Sequence, residues 1–157
     1  LGTIQLDFNM PERFELEYKN AEGGASQPVM VHRAVLGSLE RFIGILIEQY
    51  AGAFPLWLSP VQVSVIPVSD AHANYGQAVV RDLQKGGFRV ELQAASETLG
   101  ARIRKAQNEK IPHMLVVGDK EIEAKKVAVR SRSKGDLGVK GTDEFLAQLQ
   151  EEVKNRG

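Results

Sequence analysis

Residues 61–92 read VQVSVIPVSDAHANYGQAVVRDLQKGGFRVEL, and the periodicity of the chain changes twice within them. VQVSVIPV, residues 61–68, is short, apolar and β-branched, which predicts a strand. From Ala71 to Lys85, Ala71, Tyr75, Val79 and Leu83 return at helical spacing, so one helix with one apolar face is expected. Gly86-Gly87 closes it, and FRVELQ, residues 88–93, predicts a second strand. A strand, a helix and a strand in this order form the unit of a parallel sheet.

The alternation continues downstream. Leu99 to Lys110 predicts a helix, with Leu99, Ile103 and Ala106 inward and Arg102, Arg104 and Lys105 mostly outward. Pro112 ends it, HMLVVG (113–118) predicts a buried strand, and KKVAVRSR (125–132) predicts another, alternating basic and apolar. Thr142 is expected to cap a last helix carrying Phe145, Leu146, Leu149 and Val153 as its stripe. The expected architecture is a three-layer α/β domain with a mostly parallel sheet.

Upstream the pattern differs. In GTIQLDF (2–8), Ile4, Leu6 and Phe8 alternate with Thr3, Gln5 and Asp7, so Thr3 and Gln5 share one side of a strand. RFELEYK (13–19) repeats that alternation, AEGGASQP (21–28) is turn material, and PVMVHRAV (28–35) reads as a third strand. Gly37 and Ser38 then lead into LERFIGILIEQY (39–50), with Ser38 as N-cap. This helix is apolar nearly all round and is expected to be buried. AGAFPLWLSP (51–60), with two prolines, reads as a linker. The division is placed near Ser59, giving an antiparallel α+β fragment over 1–58 and an α/β domain over 59–157.

Composition narrows the function classes. The 157 residues hold 20 Lys+Arg and 20 Asp+Glu, so net charge does not mark a polyanion-coating protein. Local charge is another matter: residues 99–140 hold 11 basic and 5 acidic side chains, a field able to attract a phosphate backbone. The plain alternative is a solvated lysine-rich surface. The absence of cysteine removes disulfides and thiolate chemistry, and a cytosolic home is expected. The most apolar run, Phe42 to Leu46, is far shorter than a membrane span of about 20 residues. No signal peptide is visible. The chain starts at Leu1, so an upstream portion is expected. No GxxxxGK[ST], GxGxxG or GxSxG motif is present, and His32, His72 and His113 are scattered.

PVMVHRAVLGSLERFIGILIE (28–48) resembles motif 3 of class II aminoacyl-tRNA synthetases, in the form of the bacterial-type threonyl-tRNA synthetase family. GTIQLDF, FPLWLSPVQV, IRKAQNEKIPHMLVVGDKEI and KVAVRSR resemble the same family in the same order. Motif 3 alone is shared by a whole class; its combination with HRA (32–34) and GDKE (118–121) is more specific.

The resemblance implies that residues 1–58 end a class II catalytic domain and that 59–157 form an anticodon-binding domain with a mixed five-stranded sheet flanked by helices. It implies ATP-dependent attachment of threonine to its tRNA through a threonyl-adenylate, with Mg²⁺ accompanying ATP. Arg41 matches the motif 3 arginine that holds ATP, beside Ser38 at the helix start. Thr3 and Gln5 match positions lining the threonine pocket. His32 matches one ligand of a Zn²⁺ that grips threonine; the family's other two ligands do not lie in this chain. Leu1 stands where the family usually has Cys. Ser96, Arg104, Lys110, Glu121 and Arg130 match anticodon-contacting positions, although Ala95 to Thr98 departs from the family's usual RNEK. The implied parent is a homodimer without membrane contact, and these 157 residues alone are expected to be inactive. The alternative is a non-catalytic RNA- or protein-binding module derived from a synthetase tail.

Overall fold

The computed structural model describes residues 2–156 and divides into two compact units, Leu1–Gln49 and Tyr50–Gly157.

In the first unit, β1 (Thr3–Asp7) pairs antiparallel with β4 (Met30–Ala34), placing Gln5 opposite His32 and Thr3 opposite Ala34. Between them a short helix, α1 (Asn9–Arg13), runs into a turn at Phe14 and Glu15, so the expected strand at RFELEYK is broken over residues 14–17. The helix is started by Asp7, whose Oδ1 accepts the N–H groups of Asn9 (2.9 Å) and Met10 (3.0 Å). Only Tyr18–Lys19 (β2) remains extended, pairing with Ala25–Ser26 (β3). Asn20 Oδ1 fixes that hairpin by accepting from Glu22 and Gly24 N–H.

Helix α2 (Leu39–Tyr50) forms as expected, with Ser38 Oγ accepting the Arg41 N–H at 3.2 Å. It is not buried: no residue of α2 is, and Leu39, Ile43, Ile45 and Ile47 are exposed, as are Ile4, Leu6 and Phe8. An all-round apolar helix shows that a partner is required; it does not show that the partner lies within the same residues.

The second unit holds a five-stranded sheet ordered β6-β5-β7-β8-β9, formed by β5 (Val63–Pro67), β6 (Val90–Leu92), β7 (His113–Val117), β8 (Lys126–Ser131) and β9 (Gly135–Gly141). The pairs β5–β6 and β5–β7 are parallel, and β7–β8 and β8–β9 antiparallel, so the sheet is mixed rather than mostly parallel. The parallel half follows from the helical crossovers α3 (Ala73–Lys85) and α4 (Leu99–Asn108). The antiparallel half follows from short connections: α5 (Asp119–Ala124) after β7, and a tight hairpin after β8.

Helices α3 and α6 (Thr142–Lys154) cover one face, packing Val79, Val80, Leu83, Phe145 and Leu149 on Val63, Val65, Leu115, Val117, Val127 and Val129. Leu56, from the linker-like stretch, is buried in the same core. Helix α4 covers part of the other face, where Ala106 and Ile111 meet Ile66 and Met114. Gly141, not Thr142, is the N-cap of α6, and no side chain caps it.

Candidate nucleic-acid interface

In β7 and β8 the side chains alternate. Leu115, Val117, Val127 and Val129 enter the core under α3 and α6, and Met114 joins the cluster under α4. Val116 and Ala128 lie opposite each other on that second face, with Met114 opposite Arg130. Val116, Ala128 and Arg130 are half-buried, and Val139 of β9, opposite Ala128, is exposed. The α4 face is therefore left uncovered toward β8 and β9. Arg130 stands there beside a register shift in the β8–β9 pairing. Such a bulge re-aims neighbouring side chains, and Gly138, at φ +77, supplies a backbone conformation other residues seldom adopt. Arg130, Gln107, Met114 and Arg132 line a cavity of about 330 Å³.

Ser96 lies at the other end of α4, in the loop after β6. It borders a polar cavity of about 220 Å³ with Glu91, Gln93, Arg102 and Lys105. Glu91 Oε1 accepts from Ser64 Oγ (2.9 Å) and Gln93 Nε2 (3.0 Å), fixing that carboxylate on the α4 face. Arg104 is exposed on α4. Lys110 follows α4 at φ +56, its ammonium donating to the Ala51 carbonyl. Glu121 sits on α5 and accepts the Gly118 N–H at 3.0 Å. The five matched positions thus form no single cluster. Ser96 and Glu121 follow the C-terminal ends of β6 and β7, Lys110 and Arg130 lie near the start of β7, and Arg104 stands between, along a helix about 15 Å long.

Arg102 corrects the expectation of an outward side chain. It is only 2% exposed, and its guanidinium donates to the carbonyls of Glu97 (3.1 Å), Pro67 (2.5 Å) and Val68 (3.1 Å). Its spacing held the signal, because Leu99, Arg102, Ile103 and Ala106 share the i, i+3, i+4, i+7 stripe.

In the first unit Gln5 and His32, being directly opposite, project from the same face, with Thr3 two residues along on that side. His32 is half-exposed, and its Nε2 donates to Asp7 Oδ2 at 3.0 Å. The Met10 N–H, then this imidazole, hold the Asp7 carboxyl below its ordinary range. Arg41 is exposed, and among the described residues no ion pair ties it to Glu40 or Glu48. No group of three or more His, Cys, Asp or Glu side chains among the described residues is placed to hold a metal. A zinc site takes three or four ligands, so His32 and Asp7 do not make one by themselves. Leu1 lies outside the described residues.

The second unit is a mixed α/β sheet with one face left half-uncovered beside α4, on which Arg104 and Lys105 are exposed cations. Residues 62–152 match the anticodon binding domain family, and the chain belongs to it; residues 1–50 match the tRNA synthetase class II core domain of the G, H, P, S and T group. The chain is 55% identical over 155 residues to a threonine–tRNA ligase of Clostridium botulinum, covering 99% of this chain and 24% of that protein. It therefore spans about a quarter of the curated relatives it matches. The RNA binding domain of threonyl-tRNA synthetase from Cryptosporidium parvum aligns at TM-score 0.79 and 36% identity, over 96% of this chain and 38% of that one. Prolyl-tRNA synthetase of the same organism aligns at TM-score 0.70 and 19% identity, covering 99% and 33%, and shares the fold.

Proposed function

We propose that these residues are the C-terminal portion of a threonine–tRNA ligase, with residues 59–157 reading the anticodon and residues 1–58 contributing one side of the ATP and threonine pocket. The observation that carries the reading is the α4 face of the second unit: a half-uncovered sheet with Arg130 at one end and the Ser96 cavity at the other. Splayed single-stranded bases are read by guanidinium, amide and carboxylate groups in shallow cavities of this kind. Arg130 and Arg104 supply cations, Glu121 and Ser96 supply polar edges, and Lys110 supplies a point charge at the end of α4.

In the catalytic portion, Arg41 holds ATP with the Ser38 turn, since a planar guanidinium stacks on a base and stays charged. Mg²⁺ accompanies the nucleotide. Thr3 and Gln5 line the threonine pocket beside His32. His32 would supply one ligand of a zinc, with the remaining ligands outside these residues, and the metal would offer Lewis-acid coordination to the substrate hydroxyl. Positioning and charge neutralisation then carry adenylate formation and transfer to tRNA. The parent is a cytoplasmic homodimer.

The test is binding of the 157-residue chain to a threonine tRNA transcript and to the same transcript with altered anticodon bases. A clear preference for the unaltered anticodon is expected; equal affinities overturn the reading.

A further inference from the structure

His72 is 6% exposed and lies at the start of α3, just past the end of β5. Its Nδ1 stands 3.1 Å from the Ser69 backbone N and 3.0 Å from Ser69 Oγ. A backbone N–H can only donate, so Nδ1 carries the lone pair and the ring hydrogen sits on Nε2. Nε2 therefore donates to Asp119 Oδ1, 2.9 Å away. Asp119 is the first residue of α5, and its side chain is 90% exposed.

Helix α5 has six residues, too few to hold its own orientation. It is fixed at both ends by the first turn of α3. Asp119 is bound by His72, and the Lys126 carbonyl just beyond α5 accepts from Tyr75 Oη at 2.9 Å. Glu121 lies between these two ties, with Oε2 on the Gly118 N–H.

The corner that seats His72 also seats the Ser96 loop. Arg102 donates to the carbonyls of Pro67 and Val68 and, through Nε, to that of Glu97, beside Ser96. The Val68 N–H donates to the Val117 carbonyl at 2.8 Å, and a Cβ built on Gly118 would sit 3.1 Å from Val68 Cγ2. Residues 67–69 are thus a common post between the Ser96 loop and the Glu121 helix.

We propose that His72 and Arg102 are positioning residues of the RNA site: through the 67–69 corner, His72 holds α5 by Asp119 and Arg102 holds the 96–97 loop, which sets the spacing between Glu121 and Ser96. This rests on the anticodon reading above. Asp119 acts through His72 and needs no contact with RNA.

The test measures anticodon preference, the ratio of affinities for the threonine tRNA transcript and its anticodon-altered form, in the 157-residue chain. Asp119→Ala, at an exposed position that cannot unfold the domain by cavity formation, is expected to lower the preference roughly fivefold. Asp119→Asn keeps an oxygen acceptor for Nε2–H and is expected to restore most of it. His72→Ala and the His72→Ala/Asp119→Ala double variant are expected to match each other, because the two side chains form one contact. A merely structural role lowers the melting temperature and leaves the preference unchanged. Wild-type chain with a preference, and Asp119→Ala indistinguishable from it, overturns this inference alone. So does a double variant that adds the two single losses. Wild-type chain without any preference overturns the function reading and this inference with it.

Discussion

Arg130 is half-buried on β8 beside a bulge and lines a cavity with Gln107 and Met114. On the proposed reading it meets a base edge by geometry as well as charge. Arg130→Ala is expected to cost about 1–3 kcal/mol of tRNA affinity, and Arg130→Lys most of the same, because lysine keeps the charge without the planar fork. Filter-binding or calorimetric titration checks this, and an Arg130→Lys variant equal to wild type would reduce Arg130 to a point charge. His113 offers a different reading at the same scale. It is 3% exposed, packs edge-on against Phe145 at 5.5 Å, and pairs Nε2 with Glu152 Oε2 at 3.1 Å, while Nδ1 has no partner among the described residues. Burial pushes the imidazole below its ordinary value, and the nearby Arg132 and Lys134 add to this; the Glu152 carboxylate opposes it without winning. The unfolded chain therefore binds this proton more readily than the folded one, and stability must rise with pH. The contribution is complete above about pH 6.5 and is lost as pH falls below it. Thermal melts between roughly pH 7 and 5 should show a steeper fall in Tm for wild type than for His113→Phe.

At the scale of elements, α4, which carries the proposed interface, is anchored by one buried cation. The Arg102 guanidinium satisfies three carbonyls and has no carboxylate partner within ion-pair distance among the described residues. Arg102→Met is expected to cost about 2–4 kcal/mol, because it strands the buried Pro67 carbonyl and removes the donor shared with Val68 and Glu97. Arg102→Lys should lie between, and urea denaturation midpoints would order the three chains. Long elements with one strong period were legible in the sequence: β5, α3, α4, β7 and α6 fall where 61–68, 71–85, 99–110, 113–118 and the 145–153 stripe place them. Elements made by local side-chain chemistry were not. Asp7 starts α1 in NMPER, which carries no periodic signal, and α5 is six residues with no stripe to read. Strand β9 holds Gly135, Gly138 and Gly141 in seven residues, a composition that argues against a strand until a bulge explains it. For the candidate site, the basic window 99–140 was visible, whereas the inward turn of Arg102 and the tie between His72 and Asp119 depend on carbonyls and a carboxylate brought from distant positions.

At the scale of the whole molecule, charge and exposed apolar surface point to separate requirements of the two units. The first unit leaves Ile4, Leu6, Phe8, Val31, Leu39, Ile43 and Ile47 exposed, a load that a free surface seldom carries, and on the proposed reading it supplies only one side of an ATP and threonine pocket. The isolated chain is expected to form no threonyl-tRNA and to support no threonine-dependent pyrophosphate exchange; measurable charging by it would overturn the division of labour proposed above. The second unit is judged by its field. A chain of zero net charge has no reason to bind RNA through bulk attraction, so a salt-dependent affinity must come from local cations. If Arg104, Lys105 and Lys110 meet the backbone of a single-stranded loop, the logarithm of the binding constant should fall with the logarithm of salt concentration at a slope of roughly −2, set by about −0.7 per phosphate neutralised. Lys105→Ala, at an exposed position outside the five matched ones, should reduce that slope by about 0.7 and weaken matched and anticodon-altered tRNA equally. A flat salt dependence in the wild-type chain would leave the basic window as solvated surface.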